Sequence, residues 1–279
     1  MNVAALRGRV ETLVAHVPLL RKLATEIIRI EFIDRCMLIA AQALLAMVPM
    51  LVVLAAFLPH LTEAALQQVS HVTGLGDEAV QQVSGEVDLD QVRSETGAVG
   101  LAITILSATS FGRAVQRMLE RVWEQEHVGG VRGAGRCLLW VAVWLACLGL
   151  VNAVVNLITD PGDLLRPLLQ AVGAIAVWWG TGWVLLFGRT RGWLLLPGAV
   201  LTGVVQVLYS RGSAWLMPVY VESNAEQFGM LGVILALSTW LIGFGGIIVG
   251  GALLGRLLVE DPVITWFVQR VRGLLTRRR

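Results

Sequence analysis

Six long apolar runs dominate the hydrophobic pattern of this chain and alternate with short polar segments. The longest lies near the C-terminus, where 29 consecutive residues between Glu226 and Arg256 carry no charge. About 20 apolar residues in an α-helix cross the ~30 Å hydrocarbon core of a bilayer. We therefore predict an all-α, polytopic membrane protein with six transmembrane helices, at about residues 36–58, 96–114, 137–158, 167–188, 193–211 and 228–255.

The last run carries small residues at helical spacing. Gly243, Gly246 and Gly250 share one face, and Gly251 with Gly255 forms a second small-xxx-small pair. Hydrophobic drive between helices is weak in lipid, so small faces of this kind allow close packing. The pattern predicts a helix at the centre of a bundle, and its face fits packing within one chain or across a homo-oligomer.

Two prolines lie inside the predicted spans. Pro49 falls near the middle of the first span, where it either kinks the helix or is relieved by neighbouring groups. Pro197 falls in the first turns of the fifth span.

The polar segments divide the chain around a six-span membrane domain, residues 36–258. Residues 1–35 alternate apolar and basic positions, which favours a cytoplasmic amphipathic segment on the inner membrane surface over a partly ordered tail. Residues 60–95 are acidic and predict a small helical extracytoplasmic cap. Residues 259–279 form a basic tail.

Lysine and arginine are unequally divided between the two sets of polar segments. The set that includes both termini holds 19 of the 22 basic residues, and the alternate set holds 3. Cytoplasmic loops carry an excess of positive charge. Both termini are therefore predicted to lie in the cytoplasm.

Composition supports the membrane class. The mean hydropathy is +0.71, and only 15% of residues are charged, which is far below the quarter typical of soluble domains. The three cysteines lie inside apolar runs, where packing is favoured over disulfide or zinc chemistry. No short apolar segment with a cleavage site precedes the first run, so no cleavable signal peptide is predicted.

Four polar residues within the predicted spans are candidates for a substrate path. They are Gln42, Asn152, Asn156 and Gln206. Polar side chains at membrane depth suggest function. The alternative is that they form hydrogen bonds that hold helices together.

Charged residues near the span ends give two further candidates. Arg113, Arg117 and Arg121 repeat every four residues and fit either anionic headgroups or ordinary positive-inside charge. On the outer side, Arg211 is a candidate ion pair with Glu222 or Glu226. That pair would be either a gate or a structural salt bridge.

Enzyme chemistry has little support in the sequence. The nearest approach to a metal site is Glu120, Glu124 and His127, which we interpret as a solvated helix face with salt bridges. The chain lacks a phosphate-binding glycine loop, a Gly-x-Ser-x-Gly elbow and a Cys-x-x-Cys pair. We predict no catalytic residue, metal or cofactor, and membrane lipids rather than nucleic acid as partners.

Four segments together resemble the YihY/BrkB family of bacterial inner-membrane proteins. They are AAQALLAMVPML (40–51), GAVGLAITILSATSFGRAVQRMLERVW (97–123), LLPGAVLTGVVQVLYSRGSAWLMPVYV (195–221) and FGMLGVILALSTWLIGFGGIIVGGALLGRLL (228–258). The chain departs from the family where Gln42-Ala43-Leu44 replaces aromatic residues, and where residues 251–255 lack an acidic residue. No role of that acid is carried over.

The resemblance implies a six-helix protein of the bacterial cytoplasmic membrane. Members of the family have been described as virulence factors linked to serum resistance, and an older ribonuclease label is regarded as a misassignment. Export of a lipid or envelope component has been proposed for the family. We therefore expect transport or flipping of a lipid or other amphiphile, with a non-catalytic scaffold that binds protein partners as the alternative.

Overall fold

A computed structural model of the protein describes residues 18–57, 89–159 and 165–260. Within these ranges the chain forms seven α-helices and no strand. They are α1 (Pro18–Arg29), α2 (Phe32–Phe57), α3 (Leu89–Val122), α4 (Gly130–Ile158), α5 (Leu165–Leu185), α6 (Gly192–Phe228) and α7 (Met230–Glu260).

Four of these helices, α4 to α7, are long and apolar enough to cross a membrane. The prediction of an all-helical protein with membrane-spanning helices is confirmed at this level. The other two long helices, α2 and α3, contain 26 and 34 residues. At 1.5 Å per residue they are about 39 and 51 Å long.

Several helices extend beyond the predicted spans. α4 begins at Gly130 instead of 137, and α6 continues to Phe228 instead of ending near 211. Backbone hydrogen bonding can continue a helix through polar residues outside an apolar run, so hydropathy alone does not set helix ends. Pro197 lies in the first turns of α6, as predicted, and Pro218 lies further along the same helix.

Other predicted features fall partly outside the described residues. Of the cap at 60–95, only its last residues are described, and they belong to the first turns of α3. Residues 1–17 and the basic tail after 260 lie outside the description, as do the side chains of Pro49 and Asn152. The described part of the N-terminal segment is helical, as α1.

The six long helices close into a ring. Each helix from α2 to α7 packs against its neighbour in sequence, and α7 packs against α2 to complete the circle. α7 also contacts α3 and α1. In its most apolar stretch 44% of the residues are buried, against 19–28% in α4, α5 and α6. This agrees with the central position predicted for the glycine-rich run.

The backbones of α6 and α7 approach each other closely at several glycines. A Cβ atom at Gly255 would overlap the backbone of Gly198, and one at Gly251 would overlap the Thr202 hydroxyl. The second small-residue pair thus packs within one chain. Of the first predicted face, Gly243 adjoins the Tyr209 hydroxyl, also on α6.

The other two glycines of that face have more room. An added Cβ would lie 4.0 Å from Cys36 Sγ at Gly246, and 3.8 Å from the Phe32 ring at Gly250.

Candidate functional site

Seven aromatic side chains from five helices form a continuous row between the helices of the ring. Successive ring centroids are 5.6–6.3 Å apart. In order, this aromatic row contains Phe111, Trp140, Trp144, Trp178, Phe244, Trp240 and Tyr209. It runs from α3 through α4 and α5 to α7 and α6, and so connects both sides of the ring.

Indole N–H groups of the row donate hydrogen bonds across helix interfaces. The donors and acceptors are Trp140 to Thr181 Oγ1 (3.1 Å), Trp178 to Gln206 Oε1, and Trp240 to Ser213 Oγ (2.8 Å). The fourth indole differs, because the buried Nε1–H of Trp144 has no acceptor among the described residues. The row thus combines stacked apolar surface with hydrogen-bonding groups.

Only one of the four candidate path residues is seen to bond to this row. Gln206 accepts the indole hydrogen bond of Trp178. Gln42 is partly buried on α2, and its side chain forms no hydrogen bond with the described residues of the row. Asn156 is exposed near the end of α4 and accepts a hydrogen bond from Arg166 at 2.5 Å. The side chain of Asn152 is not described.

A small central cavity adjoins the row between α3, α5, α6 and α7. The cavity has a volume of about 30 Å³ and is partly open to the surface, and Trp178 forms part of both the cavity wall and the row. Thr181 and Thr202 contribute hydroxyl groups to its wall. All twelve of its lining residues are uncharged.

Beyond the cavity, one end of the ring carries the ion pairs of the described residues, and we call it the ionic end. It gathers α1, the C-terminal ends of α3 and α7, and the link between α5 and α6. At its centre is Glu120, whose side chain is only 3% exposed. Glu120 is contacted by Gln116 Nε2 (2.8 Å), His127 Nδ1 (2.7 Å), Arg189 Nη2 (3.0 Å) and Val128 N (3.2 Å).

The prediction of a solvated face with salt bridges is wrong for Glu120, which is buried, whereas Glu124 and His127 are exposed and all three residues form salt bridges. α3 ends at Val122, and Glu124 adopts a positive φ of 50°. The chain therefore turns back and brings His127 over Glu120 instead of continuing one helical face. Glu124 points elsewhere and pairs with Arg256 at 3.0 Å.

The predicted arginine stripe does not form one continuous free surface. Arg121 donates to the carbonyl of Arg29 at 3.1 Å and lies 3.4 Å from Glu31. Arg113 donates to the carbonyl of Gly130 at 3.0 Å. Arg117 is exposed, and no carboxylate of the described residues lies within salt-bridge distance of it.

The predicted outer ion pair is not formed. Arg211 and Glu222 lie on the same helix, α6, eleven residues apart, which separates them by about 16 Å along its axis. Glu226 lies one turn further on. Arg211 instead points its guanidinium at Gln170 Oε1 of α5, at 3.5 Å.

α1 is attached to the ionic end by charged side chains. Lys22 donates to Glu260 at 2.8 Å, and Arg256 also donates to Glu260, at 2.6 Å. Burial opposes ionisation of Glu260, but these hydrogen bonds outweigh it and hold its pKa below the ordinary value of 4.5. Arg29 adds a bond to Glu26 within α1 at 2.7 Å.

A family model described as virulence factor BrkB matches residues 33–261, which run from the second residue of α2 through the end of α7 and include all of the aromatic row. Searches of curated proteins and of solved structures find no significant match.

Proposed function

The chain belongs to the virulence factor BrkB family, and on this premise we propose that it is a multi-pass protein of the bacterial cytoplasmic membrane that moves a lipid or similar amphiphile. The six spans of this proposal are α2 to α7. The observation that carries it is the aromatic row, which places hydrogen-bonding indoles and their polar partners inside a ring of apolar helices. We propose a non-enzymatic role, with membrane lipids as partners.

The distribution of basic residues supports an orientation with the ionic end in the cytoplasm. Arg121, Arg189 and Arg256 meet at that end through bonds that join different helices. Arg166 and Arg211 bond to Asn156 and Gln170 away from it. In the proposal, Arg117 contacts anionic headgroups of the inner leaflet.

A transport role fits the chemistry of the interior better than purely structural packing. Interhelical contacts in lipid are usually made by small residues, and α6 and α7 already have them at Gly198 and Gly255. In addition, the indole N–H of Trp144 has no acceptor among the described residues, so the row offers a hydrogen-bond donor beyond those that join helices. A cavity of about 30 Å³ is smaller than a lipid headgroup, so passage requires the helices around it to separate.

The proposal is tested by lipid movement in proteoliposomes. Purified protein is reconstituted with fluorescent lipids of identical acyl chains and different headgroups, and bleaching of the outer leaflet gives the rate. We expect the protein to move at least one of these lipids faster than protein-free vesicles. Trp178→Phe, which removes one indole donor and leaves Gln206 unpaired, should slow movement by about 3- to 10-fold.

Trp183→Phe is the matched control, because Trp183 lies on the same helix and its side chain is 49% exposed. It should leave the rate unchanged. Absence of movement above protein-free vesicles, with folded protein and with or without a proton gradient, would overturn the transport proposal. If Trp178→Phe and Trp183→Phe slowed movement equally, the result would show that the aromatic row has no specific role in transport.

A further inference from the structure

Among the described residues, charged side chains are absent from the wall of the central cavity, although the buried carboxylate of Glu120 follows the lining residue Leu119 on α3. Every residue that lines the central cavity is uncharged, and the ion pairs among the described residues lie near helix ends. The sequence shows the same lack of charge in the apolar runs, including positions whose side chains the structure does not describe. Asp, Glu, Lys and Arg are absent from residues 36–58, 96–112, 137–158, 167–188, 193–210 and 227–255.

Trp144 supplies the second observation. Its Nε1–H is buried without an acceptor among the described residues, and such groups are uncommon in folded proteins. The indole N–H groups of its neighbours in the row, Trp140 and Trp178, both donate hydrogen bonds to protein acceptors. The unused donor of Trp144 therefore marks a position where an oxygen atom of a ligand would complete the hydrogen bonding.

We infer that the amphiphile moved by this protein has an uncharged polar head rich in hydroxyl or ether oxygens, such as a sugar-headed lipid, and that Trp144 donates a hydrogen bond to it. The inference rests on the proposed function. A charged head would leave water for a cavity whose lining offers no counter-charge, which is strongly unfavourable. The hydroxyl group of Thr202, which lines the cavity, can instead donate to and accept from hydroxyl groups of the head.

The aromatic row does not favour a cationic head. A cation binds over an open aromatic face. Trp240 and Phe244 stack on each other with an interplanar angle of 3° and centroids 5.6 Å apart, and Phe111 stacks on Trp140. Each of these four rings has one face covered by its stacking partner, whereas the N–H edge of Trp144 has no partner among the described residues.

The test compares four fluorescent lipids with the same acyl chains in proteoliposomes of the full chain. Their heads are glucosyl, phosphocholine, phosphoglycerol and trimethylammonium. We expect the glucosyl lipid to move at least about 10-fold faster than the phosphoglycerol and trimethylammonium lipids, because each of these carries a net charge through the interior. Equal rates for all four, or a faster charged lipid, would overturn the inference and leave the proposed function standing. No movement of any lipid would overturn both.

Trp144→Phe separates a ligand contact from a structural role. The change removes a donor that has no protein acceptor, together with some packing surface against Trp140 and Trp178, so the Tm should fall by less than in Trp178→Phe, which also breaks a hydrogen bond. Movement of the glucosyl lipid should slow by about 3- to 10-fold, the effect of one lost hydrogen bond. Trp215→Phe is the control, because Trp215 is 81% exposed on α6. An unchanged glucosyl rate in Trp144→Phe, with stability retained, would overturn the assignment.

Discussion

Glu260 lies at the last turn of α7 and accepts hydrogen bonds from Lys22 of α1 and from Arg256. These contacts join the segment that precedes the first long helix to the end of the last one. Their strength depends on the charge of one partly exposed carboxylate. Solvent screening limits an exposed pair of this kind to a modest contribution.

The depressed pKa of Glu260 gives this contact a defined pH dependence. A carboxyl group with a folded pKa below its ordinary 4.5 stabilises the fold above that value, and the contribution is lost as pH falls through the folded pKa. Glu260→Gln should therefore lower the Tm of the purified protein at pH 7, and the difference from wild type should vanish in acid. Glu226→Gln, an exposed carboxylate of α6, should show neither effect. A difference that persists unchanged in acid would refute the ionic explanation.

At the scale of single residues, sequence reasoning found some site groups and missed others. Gln206 was identified because an amide in an apolar run is unusual. Glu120 was identified as a candidate, but its burial depends on the turn after Val122 and on Arg189, which lies far along the chain. The spacing of residues along one helix therefore could not predict that Glu120 is buried.

At the scale of elements, glycines allow the backbones of α6 and α7 to pack closely against each other. Gly255 approaches the backbone of Gly198 so closely that an added methyl group must displace one helix. Gly246 has room for the same methyl group, with its nearest neighbour 4.0 Å away. The two positions lie on one helix and differ mainly in this contact.

Alanine at these two glycines should have different effects. Gly255→Ala should destabilise the protein by about 1–3 kcal/mol, the usual cost of overpacking. Gly246→Ala should be neutral or slightly stabilising, because alanine is the better helix former. Thermal unfolding in one detergent measures both. Similar Tm values for the two variants would show that the α6–α7 approach does not limit stability.

The positions of the long helices were largely predictable, because the length of each apolar run indicates roughly where a long helix lies. Helix ends were less predictable, as α4 and α6 show by continuing into polar sequence. The order of contacts around the ring follows chain order except at one place, the contact of α2 with α7. The aromatic row depends on that closure, since its members come from five helices, and therefore no local pattern could reveal it.

At the scale of the whole molecule, the proposed six spans and cytoplasmic termini can be tested together. In a variant whose three native cysteines are replaced, a single cysteine is introduced at His71 or at Thr276. A membrane-impermeant maleimide should label the first in intact cells and the second only after permeabilisation. Labelling of both positions in intact cells would contradict the six-span topology and the orientation.

The contact between α2 and α7 also sets an order of events during synthesis. α2 is synthesised before α3 to α6, whereas the glycines that contact it, such as Gly245 beside the Cys36 carbonyl, are synthesised after them. Before α7 is synthesised, Trp178 has no contact with Phe244, and the ring of helices remains open between α2 and α6. A chain interrupted before Met230 would thus be inserted yet unfinished, with its aromatic interior exposed to membrane proteases and chaperones. The contact between α2 and α7 can therefore form only after α7 is synthesised, and the ring closes at that step.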